Sequence, residues 1–182
     1  MVIISESLFR ARTNTLAAVA LTLLGIIYVS VPFTFFNGIV FHPYNQGFDY
    51  QVALFLFAVI WIYDTGAYIF GRLIGRHKLF PRISPKKTWE GLAGGLVVAF
   101  AAAWLLKPLF PAIPEAHIWI LCPLIVATGT LGDLTESAWK RSAGVKDSGT
   151  IMPGHGGILD RMDSLIFAGP TVYLTIILLN KI

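Results

Sequence analysis

From Leu16 to Phe36 the chain runs for 21 residues without a single charge. About 20 mostly apolar residues are enough to carry an α-helix across a bilayer. Four further runs follow. Gln51 to Phe70 is broken only by Asp64, and Gly91 to Leu106 is extended by Lys107, Pro108, Leu109 and Phe110. His117 to Gly132 ends against Asp133, and Ser164 to Asn180 is the fifth. None shows the alternating polarity of a membrane β-barrel strand. The predicted fold class is therefore all-α: a polytopic helical membrane protein with about five transmembrane helices.

Composition excludes the main alternatives. Of the 182 residues, 55% are hydrophobic and only 13% charged, whereas an average soluble domain carries about 25% charge. That argues against a soluble globule, and intrinsic disorder needs the opposite bias. A single cysteine, Cys122, excludes an internal disulfide framework. The length fits one domain spanning residues 1–182. Arg10 and Arg12 precede the first run as they would in a signal peptide. The run is longer than the usual apolar core of about 7–15 residues, and no small-x-small cleavage site follows, so a retained anchor is expected.

The loops differ sharply in charge. The segments before Leu16, between Phe70 and Gly91, and between Gly132 and Ser164 hold 12 of the 14 Lys and Arg residues. Cationic loops stay cytoplasmic. Five spans then place the N-terminus and both long basic loops inside and the C-terminus outside. The net charge of +4 thus belongs to the cytoplasmic face, with orientation alone a sufficient reason for any one lysine. Nucleic-acid binding is not expected, because the positive charge sits beside membrane spans.

Orientation does not explain the carboxylates at span ends: Asp64, Glu90, Asp133 and Asp163. An ionisable group at the edge of a span costs desolvation and is a functional candidate by default. Asp64 is the deepest, with Arg72 as a possible structural partner. The loop from Gly71 to Gly91 sets six cations against Glu90 alone and includes Ser84, Lys86, Lys87 and Thr88 at the mouth of the third helix. Such a loop suits polyphosphate or lipid headgroups, and a helix N-terminus there suits an anion. Gly71 and Gly75, and again Gly91 and Gly95, have the spacing of close helix packing.

The stretch from Gly132 to Ser164 is more specific. If the fourth helix continues past Gly132, then Asp133, Glu136 and Lys140 share a face. Ser137 and Arg141 form a second stripe. Beyond a glycine-rich turn, Asp160 and Asp163 repeat the three-residue spacing. Two helix ends with paired carboxylates, separated by Lys140, Arg141 and Lys146, suit Mg²⁺ shared with substrate phosphates. Glycines in the turn let backbone N–H groups approach an anion. Asp160 and Asp163 also suit a helix N-terminus electrostatically, and His155 also suits a turn. Zinc is disfavoured because the four histidines are scattered and Cys122 lies within a span. Neither a Gly-x-Ser-x-Gly elbow nor a Walker A lysine motif occurs.

These residues resemble the signature of the phosphatidate cytidylyltransferase (CDP-diacylglycerol synthase) family. Ser137-Ala138-Trp139-Lys140-Arg141, Lys146-Asp147, Pro153-Gly154-His155-Gly156-Gly157 and Asp160-Arg161-Met162-Asp163 carry the resemblance. Asp64-Thr65-Gly66-Ala67-Tyr68, Gly71-Arg72 and Ile83 through Gly91 carry it in the second loop. It extends from about Leu16 to the C-terminus. The resemblance implies conversion of CTP and phosphatidate to CDP-diacylglycerol and pyrophosphate, with Mg²⁺ and a second cation, K⁺. It implies Asp133 and Asp160 as metal-holding carboxylates, with Lys140, Arg141 and Lys146 completing the catalytic set. Arg72, Ser84, Lys86, Lys87, Asp64, Asp147, His155, Gly156, Gly157, Arg161 and Asp163 are the expected substrate contacts. It also implies a homodimer, membrane lipid as partner, and a bacterial inner-membrane location with the site facing the cytoplasm. Family members commonly carry further spans before the segment that starts here, so a truncated or minimal form is expected. A CTP-dependent lipid-alcohol kinase and a non-catalytic anion-binding membrane protein are the alternatives. Product analysis separates the kinase, while a transporter would be expected to show inverted repeats, which are not evident here.

Overall fold

The computed structural model describes residues 15–41, 47–149 and 157–180. Five helices account for the apolar runs: α1 (Thr15–Phe41), α2 (Gln51–Leu73), α3 (Trp89–Leu106), α4 (Glu115–Ser142) and α5 (Leu159–Leu179). A single 3₁₀ turn, Lys107–Leu109, extends α3. All five are long and apolar enough to cross a membrane. Pro32, Pro123 and Pro170 lie within α1, α4 and α5, as membrane helices tolerate. Large apolar side chains point outward, among them Leu16, Trp61, Val97 and Leu105. In water that would be a liability, but a hydrocarbon surrounding makes it ordinary.

Helix ends follow local chemistry. Thr88 is extended and buried, and its Oγ1 accepts the Gly91 N–H at 3.1 Å, capping α3. At the end of α4, Gly144 adopts φ +71°, the left-handed conformation that favours glycine. The Val145 N–H reaches the Lys140 carbonyl at 2.9 Å and the Gly144 N–H reaches Arg141 at 3.1 Å. This Schellman closure stops α4 ten residues beyond Gly132. The continuation on which the shared face of Asp133, Glu136 and Lys140 depends is therefore present.

The segment between α2 and α3 is more ordered than a loop. Strands β1 (Lys78–Phe80) and β2 (Ser84–Thr88) form an antiparallel hairpin with Lys78 opposite Thr88 and Phe80 opposite Ser84. Glu90 pins its base, accepting N–H bonds from Arg76 and His77 at 3.1 and 3.2 Å and lying 2.6 Å from His77 Nδ1. The Trp89 N–H bonds the His77 carbonyl at 3.0 Å. The hairpin is small and leaves the all-α class unchanged.

The closest helix pairings are α2 with α3 and α4 with α5, while α1 lies mainly on α5. Small residues permit the first. A Cβ on Gly95 would lie 2.8 Å from the Tyr63 carbonyl oxygen, and one on Gly91 would lie 2.7 Å from that of Ala67 and 3.1 Å from Gly71 Cα. The glycine spacing read from the sequence is thus realised as packing. The core between the pairs includes Phe55, Leu56, Leu121, Ile125 and Val172. At the end away from the basic loops, Lys107 pairs with Glu115 across the turn between α3 and α4.

Candidate active site

The C-terminal ends of α2 and α4 and the N-terminal ends of α3 and α5 converge, which brings the two motif stretches together. Lys87, on β2 just before the α3 cap, places Nζ 2.5 Å from Asp133 Oδ2 on α4. Ser137, one turn further along α4, donates to Asp133 Oδ1 at 3.1 Å. Two turns from Asp133 on the same face, Lys140 places Nζ 2.5 Å from Asp160 Oδ1 on α5 and 3.4 Å from Glu136 Oε1. That face separates the two lysine–carboxylate pairs by about 10 Å along the axis.

Asp160 gathers four donors. Besides Lys140, its oxygens accept the Ser148 N–H at 2.9 Å, the Ser148 hydroxyl at 2.9 Å and the Gly157 N–H at 2.7 Å. One carboxylate therefore ties together Ser148 and Gly157, on either side of the glycine-rich turn. Gly157 is required by this closure, since a Cβ there would lie against the Ser148 hydroxyl and 2.9 Å from Gly149 N.

Asp163 faces inward from α5, its Oδ1 accepting the Ser164 N–H at 2.6 Å. Gly132 lets α4 approach there, because a Cβ on it would collide with the Asp163 carbonyl oxygen. Asp64, Asp133 and Asp163 lie close enough to feel one another's charge, with Lys87 as the cation nearest Asp64 in effect. Asp64 also lines a recess of about 260 Å³ between α2, the hairpin and α3, with Ser84, Lys86 and Lys87 on the facing wall. A partnership of Asp64 with Arg72 is not what forms: Arg72 Nη1 donates to the Tyr68 hydroxyl at 3.2 Å.

The remaining expected residues are more peripheral. Arg141 is exposed and donates to the Val145 carbonyl at 3.0 Å. Lys146 and Asp147 are exposed on the turn after α4, and Arg161 is exposed on the first turn of α5. His155 and Gly156 lie outside the described residues. Glu136 was read from the sequence only as sharing the face of Asp133 and Lys140, and Ser148 was missed. The three-residue spacing from Asp133 pointed to Glu136, but no local pattern marked Ser148, whose role depends on loop closure.

The side chains able to hold a metal are carboxylates and hydroxyls, which suit a hard cation such as Mg²⁺. Glu136 carries two buried oxygens with no hydrogen-bond donor among the described residues, 3.4 Å from Lys140 at the nearer, but no three His, Cys, Asp or Glu side chains among the described residues are grouped so as to hold a metal ion. Cys122, the soft ligand, is buried in the core.

The profile of the cytidylyltransferase family matches residues 1–179. The chain belongs to the cytidylyltransferase family. A phosphatidate cytidylyltransferase of Staphylococcus epidermidis is 40% identical over 179 residues, 97% of this chain and 66% of that protein. That of Staphylococcus haemolyticus is 45% identical over 161 residues, 87% of this chain and 59% of its own. That of Staphylococcus aureus is 40% identical over 179 residues, again 97% and 66%. The chain thus spans 59–66% of the length of these relatives. Within the family match lie both stretches that supply the lysine–carboxylate pairs.

Proposed function

We propose that this protein transfers the cytidylyl group of CTP to phosphatidate, giving CDP-diacylglycerol and pyrophosphate. The observation that carries the reading is the meeting of Lys87–Asp133 and Lys140–Asp160 at one end of the helices, beside a lysine-lined recess. The names of the relatives, aligned over nearly the whole chain, support the same substrates.

In this reaction an oxygen of the phosphatidate phosphate attacks the α-phosphorus of CTP. The bond from that phosphorus to the bridging oxygen breaks, and pyrophosphate leaves. The attacking phosphate has a second pKa near ~6 and is largely ionised at neutral pH, so no general base is required. The chemical problem is repulsion between two anions. Lys86, Lys87 and Ser84 face the recess and suit the triphosphate, while Lys140 suits the lipid phosphate or the departing pyrophosphate. Charged donors held in a low-dielectric setting stabilise developing charge without reorganisation. Asp133 and Asp160 are the carboxylates that would hold Mg²⁺, each on releasing the lysine that pairs with it here, and K⁺ is the second cation proposed. The bound metal supplies charge neutralisation and alignment of phosphate oxygens.

The basic ends are read as cytoplasmic, in a bacterial inner membrane. CTP then reaches the recess from the cytosol while phosphatidate enters from the leaflet. The test is product analysis of purified protein in detergent with labelled CTP, phosphatidate and Mg²⁺. CDP-diacylglycerol and pyrophosphate are expected, with no turnover when Mg²⁺ is omitted. Folded protein that gives no product, or gives CDP and a phosphorylated lipid, refutes the proposal.

A further inference from the structure

The recess beside Asp64 has two unlike walls. The hairpin supplies the cations Lys86 and Lys87 and the Ser84 hydroxyl, whereas α2 supplies Tyr63, Asp64, Ala67 and Tyr68 and no cation. Leu79 of β1 and Leu92 of α3 add apolar surface to the same space. At about 260 Å³ the recess approaches the ~300 Å³ at which small-molecule pockets begin. A phosphate chain accounts for the basic wall. It does not account for the aromatic and apolar lining, from which Asp64 would repel it.

The two rings on the α2 wall differ. Tyr63 is buried at 6% exposure with its hydroxyl 2.8 Å from that of Thr130 on α4, so it belongs to the core. Tyr68 is 64% exposed. An exposed tyrosine near a span end has an ordinary use, with the ring at the membrane–water interface and the hydroxyl at headgroup level. Tyr68 departs from that arrangement in two respects. It lines the recess, whereas Trp61, Thr65 and Ile69 of the same helix line a separate apolar groove with Val98 of α3. Its hydroxyl is also engaged within the protein, because Arg72, one turn further along α2, donates to it at 3.2 Å. Asp64, Tyr68 and Arg72 follow at four-residue steps and share one face of the helix. The ring is thus held at its tip and left open over much of its surface.

We propose that Tyr68 is the platform on which the nucleobase of the bound nucleotide stacks, while the triphosphate runs along Lys86 and Lys87. A base is flat and carries a π-face, which an aromatic side chain meets with little regard to which base it is. The platform therefore adds affinity for a nucleotide over a bare triphosphate and leaves the choice of cytosine to other groups. Position fits this division. Tyr68 lies one turn nearer the basic end of α2 than Asp64, about 6 Å along the axis, while Lys87 leads across to Asp133. The base stays toward the basic end as the reacting phosphorus approaches the carboxylates. This inference deepens the cytidylyltransferase reading and rests on it, since the nucleotide is taken to be CTP.

The test uses the full chain in detergent with Mg²⁺ and two probes, CTP and inorganic triphosphate. Dissociation constants and thermal midpoints are measured for wild type, Tyr68→Phe and Tyr68→Leu. Tyr68→Leu removes the ring from an exposed position and is expected to weaken CTP about tenfold, within what one stacked base contributes. Its affinity for inorganic triphosphate and its midpoint are expected to stay at the wild-type values. Tyr68→Phe keeps the ring, loses the Arg72 bond and should retain most of the CTP affinity. Unchanged CTP affinity in Tyr68→Leu overturns the proposal. A parallel loss for both probes, a fallen midpoint or a failure to fold makes the ring a structural part of the recess and also overturns it. Tyr68→Phe as weak as Tyr68→Leu assigns the effect to the hydroxyl and overturns it as well. A folded wild type that binds no CTP refutes the underlying functional reading, a result distinct from all of these.

Discussion

Two glycines on one face of α4, three residues apart, should respond to the same substitution with opposite signs. Around Gly129 an added Cβ would sit 3.5 Å from Ser164 Cβ and 3.9 Å from the Ser164 carbonyl oxygen, which is ordinary contact. At Gly132 it would collide with the Asp163 carbonyl oxygen, lying 3.2 Å from that carbonyl carbon and 3.3 Å from the Phe167 ring. The obstacle at Gly132 is mainly backbone, which cannot swing aside as a side chain can. Replacing glycine by alanine in a helix interior contributes about 1 kcal/mol of stability where space allows. Overpacking costs about 1–3 kcal/mol, and a backbone obstacle calls for the upper end. Gly129→Ala is therefore expected to stabilise by up to about 1 kcal/mol, and Gly132→Ala to destabilise by about 2 kcal/mol. For a chain of this size each kcal/mol moves the midpoint by roughly 2–4 °C, so the variants should separate by about 6–12 °C. Intrinsic fluorescence of the five tryptophans during a thermal ramp in detergent reads this out. A Gly132→Ala protein that melts as high as Gly129→Ala would refute the close α4–α5 crossing beside Asp163.

Asp133→Asn and Asp160→Asn should both abolish CDP-diacylglycerol formation while leaving membrane insertion intact, but they should differ in stability. Asp133 is partly exposed, and its pair with Lys87 contributes under about 1 kcal/mol, whereas Asp160→Asn weakens a four-donor knot and should cost about 2–3 kcal/mol. Equal melting of the two variants would contradict this assignment. Phe55→Ala removes a core ring at 1% exposure that packs edge-on against Phe110. It should cost about 3–5 kcal/mol in the same thermal ramp, with CTP affinity retained below the transition.

The spans were legible because a charge-free run of 21 residues has few other uses, and the glycine pairs because close approach admits little else. The hairpin was not legible. Ser84 to Thr88 contains two lysines and a proline with no clean alternation, and its base is tied by Glu90, which lies 13–14 residues from its partners in sequence. The carboxylate spacings on α4 and α5 revealed which residues share a face. They could not reveal burial, and a glutamate beyond the end of an apolar run reads as solvated. Glu136 is hidden by α4–α5 packing and Tyr28 from α1, which only the tertiary arrangement brings together. Ser148 escaped for a related reason: its partner lies across a turn whose closure local sequence does not specify.

The two lysine–carboxylate pairs differ in a mechanical sense. Lys140 and Asp160 both belong to the closely packed α4–α5 pair. Lys87 rides on the strand that ends in the α3 cap, and α3 is seated on α2 through glycines, so Lys87–Asp133 bridges the looser seam between two helix pairs. A shear along that seam by about the length of a hydrogen bond would part Lys87 from Asp133 and leave Lys140–Asp160 untouched. The first pair thus depends on how the two helix pairs are placed against each other, and the second depends only on the α4–α5 crossing.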